Sequence, residues 1–146
     1  MSSSDELSLD IQDALEEICD QGNEAMDEGN PEEALLFFRR AMQLLPEPVE
    51  EWEAYGWLQA AIGDAHYAMN DFSLARDHFH AAYTFAGPEE VNAFVLLRLG
   101  QSYRRLGDDK NATEYLLRAY MLDGEDIFAN DPDEFVFLRT AVPLHE

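Results

Sequence analysis

The chain has 146 residues, 47% of them hydrophobic, with a single cysteine and a formal net charge of −22 from 31 acids against 9 bases. This length predicts one domain with apolar residues enough for a core, while the lone Cys19 excludes an internal disulfide and a cysteine-based zinc site. Nucleic-acid and anionic-membrane binding are disfavoured, because both need basic surface, and the charge favours basic partners with fast, salt-sensitive association.

Residues 1–7 read as a frayed polar start, and Met1-Ser2-Ser3-Ser4-Asp5-Glu6 lacks the basic and apolar regions of a signal peptide. No apolar run reaches the ~18 residues of a membrane helix, so the expected location is the cytoplasm, with no membrane association. Leu7, Ile11, Leu15 and Ile18 then form a helical stripe with acids on the other face, which predicts a helix from Ser8 or Asp10 to Glu28. Gly29-Asn30-Pro31-Glu32-Glu33 is a restart signal: Asn30 as N-cap, Pro31 at the first helical position and Glu33 completing a capping box. The second helix is expected to reach about Leu45 and to stop at Pro46. Glu47 to Glu53 is an insertion, expected to extend the next helix, from about Pro48 to Met69. Asn70-Asp71 restarts a helix that ends near Phe85, before Gly87-Pro88.

A third pair follows, from about Glu89 to Leu106 and from Asp109 to Leu122, broken by Gly107-Asp108 with Asp108 as the second N-cap. Asn130-Asp131-Pro132-Asp133-Glu134 is a further start signal: Asp131 caps, Pro132 begins and Glu134 stands where a capping box needs it. Phe135, Leu138 and Val142 make a short stripe ended by Pro143, expected to pack over Ile127 and Phe128. The charge is uneven along the chain. No Lys or Arg precedes Arg39, Lys110 is the one lysine, and Arg98, Arg104 and Arg105 share a helix.

The three pairs are copies of one pattern. Leu99-Gly100, Tyr103, Ala112, Leu116 and Ala119 have counterparts in Ile62-Gly63, His66, Ala75, Phe79 and Ala82, and in Gly22, Ala25, Ala34, Phe38 and Ala41. Gly22, Gly63 and Gly100 are 41 and 37 residues apart. The pattern resembles the tetratricopeptide repeat (TPR), a helix–turn–helix of about 34 residues, over roughly Leu15 to Asp126. Ala25 and His66 depart from its usual aromatic, Leu116 takes an aromatic position, and Gly87 and Gly124 stand where Pro46 ends the first copy. The resemblance implies an all-α fold in a single domain: three TPR helical hairpins, about 8–47, 48–88 and 89–124, in a right-handed superhelix. The helix at about 132–141 would cap the last exposed apolar face, as solenoids require.

The sequence holds no phosphate-loop, dinucleotide, nucleophile-elbow or zinc-protease motif. His78 and His80 are two residues apart on a helix and face different directions, His66 falls at a core position of the repeat, and His145 stands near the end. Glu16, Glu17 and Asp20 are expected to raise the pKa of Cys19 and blunt it. No enzyme activity, cofactor or metal is therefore expected.

The resemblance implies instead a concave surface lined by the first helix of each hairpin. By register it takes Glu16, Cys19, Asp20, Asn23, Met26 and Asp27, then Trp57, Ala60, Ala61, Asp64 and Tyr67, then Phe94, Leu97, Arg98, Gln101, Arg104 and Arg105. Such a groove is acidic at one end, aromatic in the middle and arginine-rich at the other, and Trp, Tyr and Arg are the residues that most often anchor interfaces. The expected partner-binding set is Asn23, Asp27, Trp57, Asp64, Tyr67, Phe94, Arg98, Gln101, Arg104 and Arg105. Cys19 occupies a place where TPR clamps for chaperone tails require a lysine, which argues against that ligand. The ending, LLRAYMLDGEDIF followed by DPDEFVFL, looks like that of small acidic bacterial TPR proteins encoded beside polymorphic toxins of the Rhs type. The expected function is non-catalytic protein binding by an immunity-type inhibitor of a basic toxin or effector domain. The alternative is a TPR chaperone or adaptor holding a peptide or partner subunit in the groove.

Overall fold

The computed structural model describes residues 7–87, 90 and 92–144; the polar start at 1–6, the expected helix start at Glu89, and His145 lie outside the described residues. The described chain is all-helical, with no strand. Seven α-helices follow one another: α1 (Leu9–Asp27), α2 (Pro31–Gln43), α3 (Glu53–Ala68), α4 (Phe72–Ala86), α5 (Ala93–Arg105), α6 (Asp109–Asp123) and α7 (Pro132–Ala141). The dominant packing is between consecutive helices: α1 with α2, α3 with α4 and α5 with α6, each pair stacked on the next. Neighbour-on-neighbour packing of this kind is that of a solenoid, in which no single pair can bury its apolar face alone.

The repeated small residues explain how the helices of a pair meet. Gly22, Gly63 and Gly100 each stand sixteen residues before Phe38, Phe79 and Leu116. A Cβ built on Gly22 would lie 2.5 Å from the Phe38 ring, one on Gly100 2.5 Å from Leu116 Cγ, and one on Gly63 3.1 Å from the Phe79 ring. The large side chain of one helix therefore fills the space that glycine leaves on the other. Ala34, Ala75, Ala112 and Ala119 are completely buried along the same seams. The turns inside the three hairpins also share a conformation: Gly29, Asn70 and Gly107 have φ of 80°, 63° and 84°. Glycine takes this left-handed region without steric cost, and asparagine tolerates it better than most residues.

Three local details differ from the sequence-based expectation. The insertion before α3 is not helix throughout: Val49–Glu51 form one 3-10 turn, Trp52 is extended (φ −100°, ψ 137°) and α3 begins at Glu53. The Trp52 indole Nε1 donates to Pro46 O at 2.7 Å, and the ring packs on the core of the first hairpin. Burying that ring beside the first hairpin holds Trp52 out of helical conformation. Second, α5 begins at Ala93, with Asn92 accepting from Val95 N–H at 2.9 Å.

Third, the expected caps at Asn30 and Asp131 make no side-chain cap hydrogen bond. Their turns set ψ to 67° and 61°, away from the extended 155° and 158° of Ser8 and Asn92, whose side chains do cap. Asp108, with ψ of 79°, still accepts from Asn111 N–H at 3.2 Å. At the far end Phe128, Phe135 and Leu138 are buried with Leu116 and Ala119, so α7 and the 3-10 turn at Gly124–Phe128 cover the apolar face of α6.

Candidate functional site

Side chains on the first helix of each pair are placed by helical spacing. On α3, Glu53 and Trp57 lie one turn apart on one face. Both are exposed, Trp57 to 48%. An indole half in water carries a large unburied apolar area, which marks α3 as a contact ridge. A concavity of about 590 Å³ lies between this ridge and α1, lined by Leu15, Ala54, Asp13, Glu16, Cys19 and Asp20 among others. A second, of about 490 Å³, lies on the other side of Trp57, against Ala60, Ala82 and Val95, with Glu51 and Glu90 at its rim. Asn23 and Asp27 are exposed further along α1.

Cys19 is buried at the base of the first concavity, and its thiol pKa is raised to about 11. Burial is the larger cause and the Asp20 charge the smaller, so the acidic neighbours alone, as read from sequence, are the lesser part of the effect. A thiol protonated at neutral pH is a poor nucleophile.

The arginine-rich end is built differently from a free cationic face. Arg98 on α5 donates to Asp64 of α3 at 3.0 Å and to Gln101 Oε1 at 2.6 Å. Its guanidinium lies 5.1 Å from the Tyr67 ring centre and 4.9 Å from that of Phe94, so both rings add cation–π attraction. Phe94 itself remains 40% exposed. Gln101 is buried and donates to Glu134 Oε2 at 3.3 Å, and Arg104 pairs with Glu134 Oε1 while lying over the Phe137 ring.

Glu134 therefore does not complete a capping box. It is a buried carboxylate, 4% exposed, that ties α7 to α5. Its sequence position is right for either role, and only the approach of α5 decides between them. Arg105 stays exposed, and the nearby Tyr67 side chain is the main cause that raises its pKa. That contact falls short of hydrogen-bond geometry, so the enclosed Tyr67 hydroxyl has no partner among the described residues. Leu97, expected on the groove, is buried in the core with Leu116 and Phe135, because the helix turns that position towards α6 and α7.

Of the three described histidines, His66 is a core group, while His78 and His80 are half-buried. His66 is 3% exposed and stacks on His78, ring centres 5.4 Å apart and planes within 7°. The Asp71 carboxylate stands 3.7 Å from His66 Nδ1, beyond hydrogen-bond distance. His78 Nδ1 donates to Gln59 Oε1 at 2.7 Å, and His80 shares a 2.6 Å hydrogen bond with the Tyr103 hydroxyl. Burial lowers the pKa of all three. The His66–His78 stack joins α3 and α4 across a turn, so no spacing along one helix predicts it. Among the described residues no group of three or more His, Cys, Asp or Glu could hold a metal ion, and no helix is long and apolar enough to cross a membrane.

The arrangement offers exposed aromatics, acid-rimmed concavities and internally paired arginines, a set suited to contact with another protein. No curated protein matches the chain. Residues 95–126 match the family model described as tetratricopeptide repeat. The third hairpin of this chain is thus a tetratricopeptide repeat, and the helical stack around it is an α-solenoid of that type.

Proposed function

We propose that this protein is a non-catalytic inhibitor of the immunity type, which binds a basic toxin or effector domain and occludes it. The observation that carries the reading is the acidic rim around a half-exposed Trp57, on a chain of net charge −22 whose first base is Arg39. Acids massed at one end steer a basic protein to the surface, and a desolvated aromatic then holds it. The resemblance of the C-terminal third to small acidic TPR proteins encoded beside toxins supports the same choice. The face proposed for the partner runs from Asn23 and Asp27 over Trp57 to Phe94 and Arg105. Asp64, Tyr67, Arg98, Gln101 and Arg104 lie beneath it as a support that is already internally paired. The protein would act in the cytoplasm, on a protein partner and not on nucleic acid, whose phosphates the surface repels.

A second reading, an adaptor or chaperone that holds a peptide or partner subunit, is favoured by the two concavities flanking Trp57. Expressing the product of the adjoining gene with and without this chain separates the two. Restored growth together with a one-to-one complex on size exclusion supports the inhibitor. A stable complex without any growth effect supports the adaptor, and neither complex nor rescue removes the inhibitor reading.

A further inference from the structure

The ridge on α3 has a more specific chemistry than a general acidic surface. Glu53 and Trp57, one helical turn apart, each line both concavities, so the two hollows share this pair as a common wall. The floors are apolar: Leu15 and Ala54 on one side, Val95 and Ala82 on the other. Among the described residues, the charged ones that line the hollows are all acids, and no Lys or Arg lines either one. Arg98, on α5, is held by Asp64 and Gln101 and lines neither hollow.

A cation placed over an indole and beside a carboxylate gains from both, by cation–π attraction and by charge. An apolar side chain on either side of that cation would meet an apolar floor. The geometry points to a cationic protein segment as the occupant, with an arginine seated on the Glu53–Trp57 ridge and an apolar side chain in each flanking hollow. This rests on the protein-binding reading above and names the chemistry of the segment recognised. Complementary charge carries it: an acidic or neutral segment would leave the rim carboxylates unpaired, and an unflanked cation would leave both hollows unfilled.

The probe is a fluorescein-labelled helical peptide with arginine between two leucines in a lysine–alanine background. It is compared with a peptide of identical charge in which both leucines are serine. Fluorescence anisotropy against the full chain should show the leucine peptide binding at least about tenfold tighter. Trp57→Ala should weaken it about tenfold, and Glu53→Gln about threefold. Glu53 is exposed, so Glu53→Gln should melt with the wild type, whereas half-buried Trp57 contributes some packing; the glutamine variant therefore tests the ridge even if Trp57→Ala melts lower or does not fold. Equal binding of the two peptides would reduce the effect to diffuse charge and overturn the inference. Unchanged binding in both variants would move the contact elsewhere and overturn it too, as would no binding of either peptide. The growth and complex assay on the adjoining gene product does not depend on this peptide. A rescued cell with a failed peptide test therefore rejects the segment chemistry alone, and a bound peptide without complex or rescue rejects the inhibitor alone.

Discussion

Adding one methyl group at each repeat glycine is a graded test of the packing. Alanine at a helix interior is favoured over glycine by up to about 1 kcal/mol. Against that gain stands the neighbour that the new Cβ meets. At Gly22 it would lie 2.5 Å from Phe38 Cε1 and 2.9 Å from two further ring atoms, and the Phe38 ring, on α2, is buried against α1. At Gly100 it would lie 2.5 Å from Leu116 Cγ and 3.1 Å from the Leu116 backbone nitrogen, which cannot rotate away. At Gly63 the three nearest Phe79 ring atoms are each 3.1 Å away, so a shift of a few tenths of an ångström suffices.

Overpacking a filled core costs about 1–3 kcal/mol. After the propensity gain, Gly22→Ala and Gly100→Ala should each lose about 1–2 kcal/mol, with Gly100→Ala the worse, while Gly63→Ala should stay within about 0.5 kcal/mol of wild type. For a chain of this size each lost kcal/mol lowers the melting temperature by about 2–4 °C. Urea titrations read at 222 nm, with the slope checked for two-state behaviour, give the three values directly. If Gly63→Ala is as damaging as the other two, close approach of the paired helices is not what these glycines provide.

Stability should fall as pH drops below the ordinary histidine value of 6.5, because burial lowers the pKa of both His66 and His78. The unfolded chain then takes up protons first, so the contribution is complete above about pH 7 and shrinks on acidification. Arg39 opposes protonation of both rings and a charge on His66 opposes that of His78 more strongly, while Asp71 beside His66 and Asp77 beside His78 favour it without outweighing burial. Melting curves from pH 7.5 to 5 should flatten in His66→Phe, and an unchanged slope would refute the role of the stack. Glu134→Ala leaves Arg104 without its carboxylate and Gln101 without its acceptor, and should cost about 1–3 kcal/mol, less than a fully buried pair because Arg104 is partly solvated; calorimetry of the variant measures it. Ending the chain at Asn130 removes Phe135 and Leu138, each worth about 1.5–3 kcal/mol of burial. The shortened chain should melt lower and aggregate, and light scattering during the melt would show an unchanged monomer if α7 is not a cover.

Much of this architecture is decided locally. The glycine and alanine spacing, the left-handed turns at Gly29, Asn70 and Gly107, and the apolar stripes depend on contacts within one hairpin, so a period visible in sequence carries them directly into helices and their pairing. The third hairpin keeps the repeat pattern closely enough to match the family model over residues 95–126. Other features belong to contacts between hairpins, which no local spacing encodes. Trp52 leaves helical conformation because its ring has a place on the first hairpin. Glu134 reads as a capping residue and becomes a buried counter-ion because α7 crosses the α5 face that carries Gln101 and Arg104. Arg98 reads as part of a partner-binding face and is held by Asp64, thirty-four residues earlier, because stacking the second and third pairs brings those two turns together. The sequence by itself determined which helices pair and how closely; the tertiary structure decided which charges remain free for a partner, because pairing of charge depends on distance through space and not on separation along the chain.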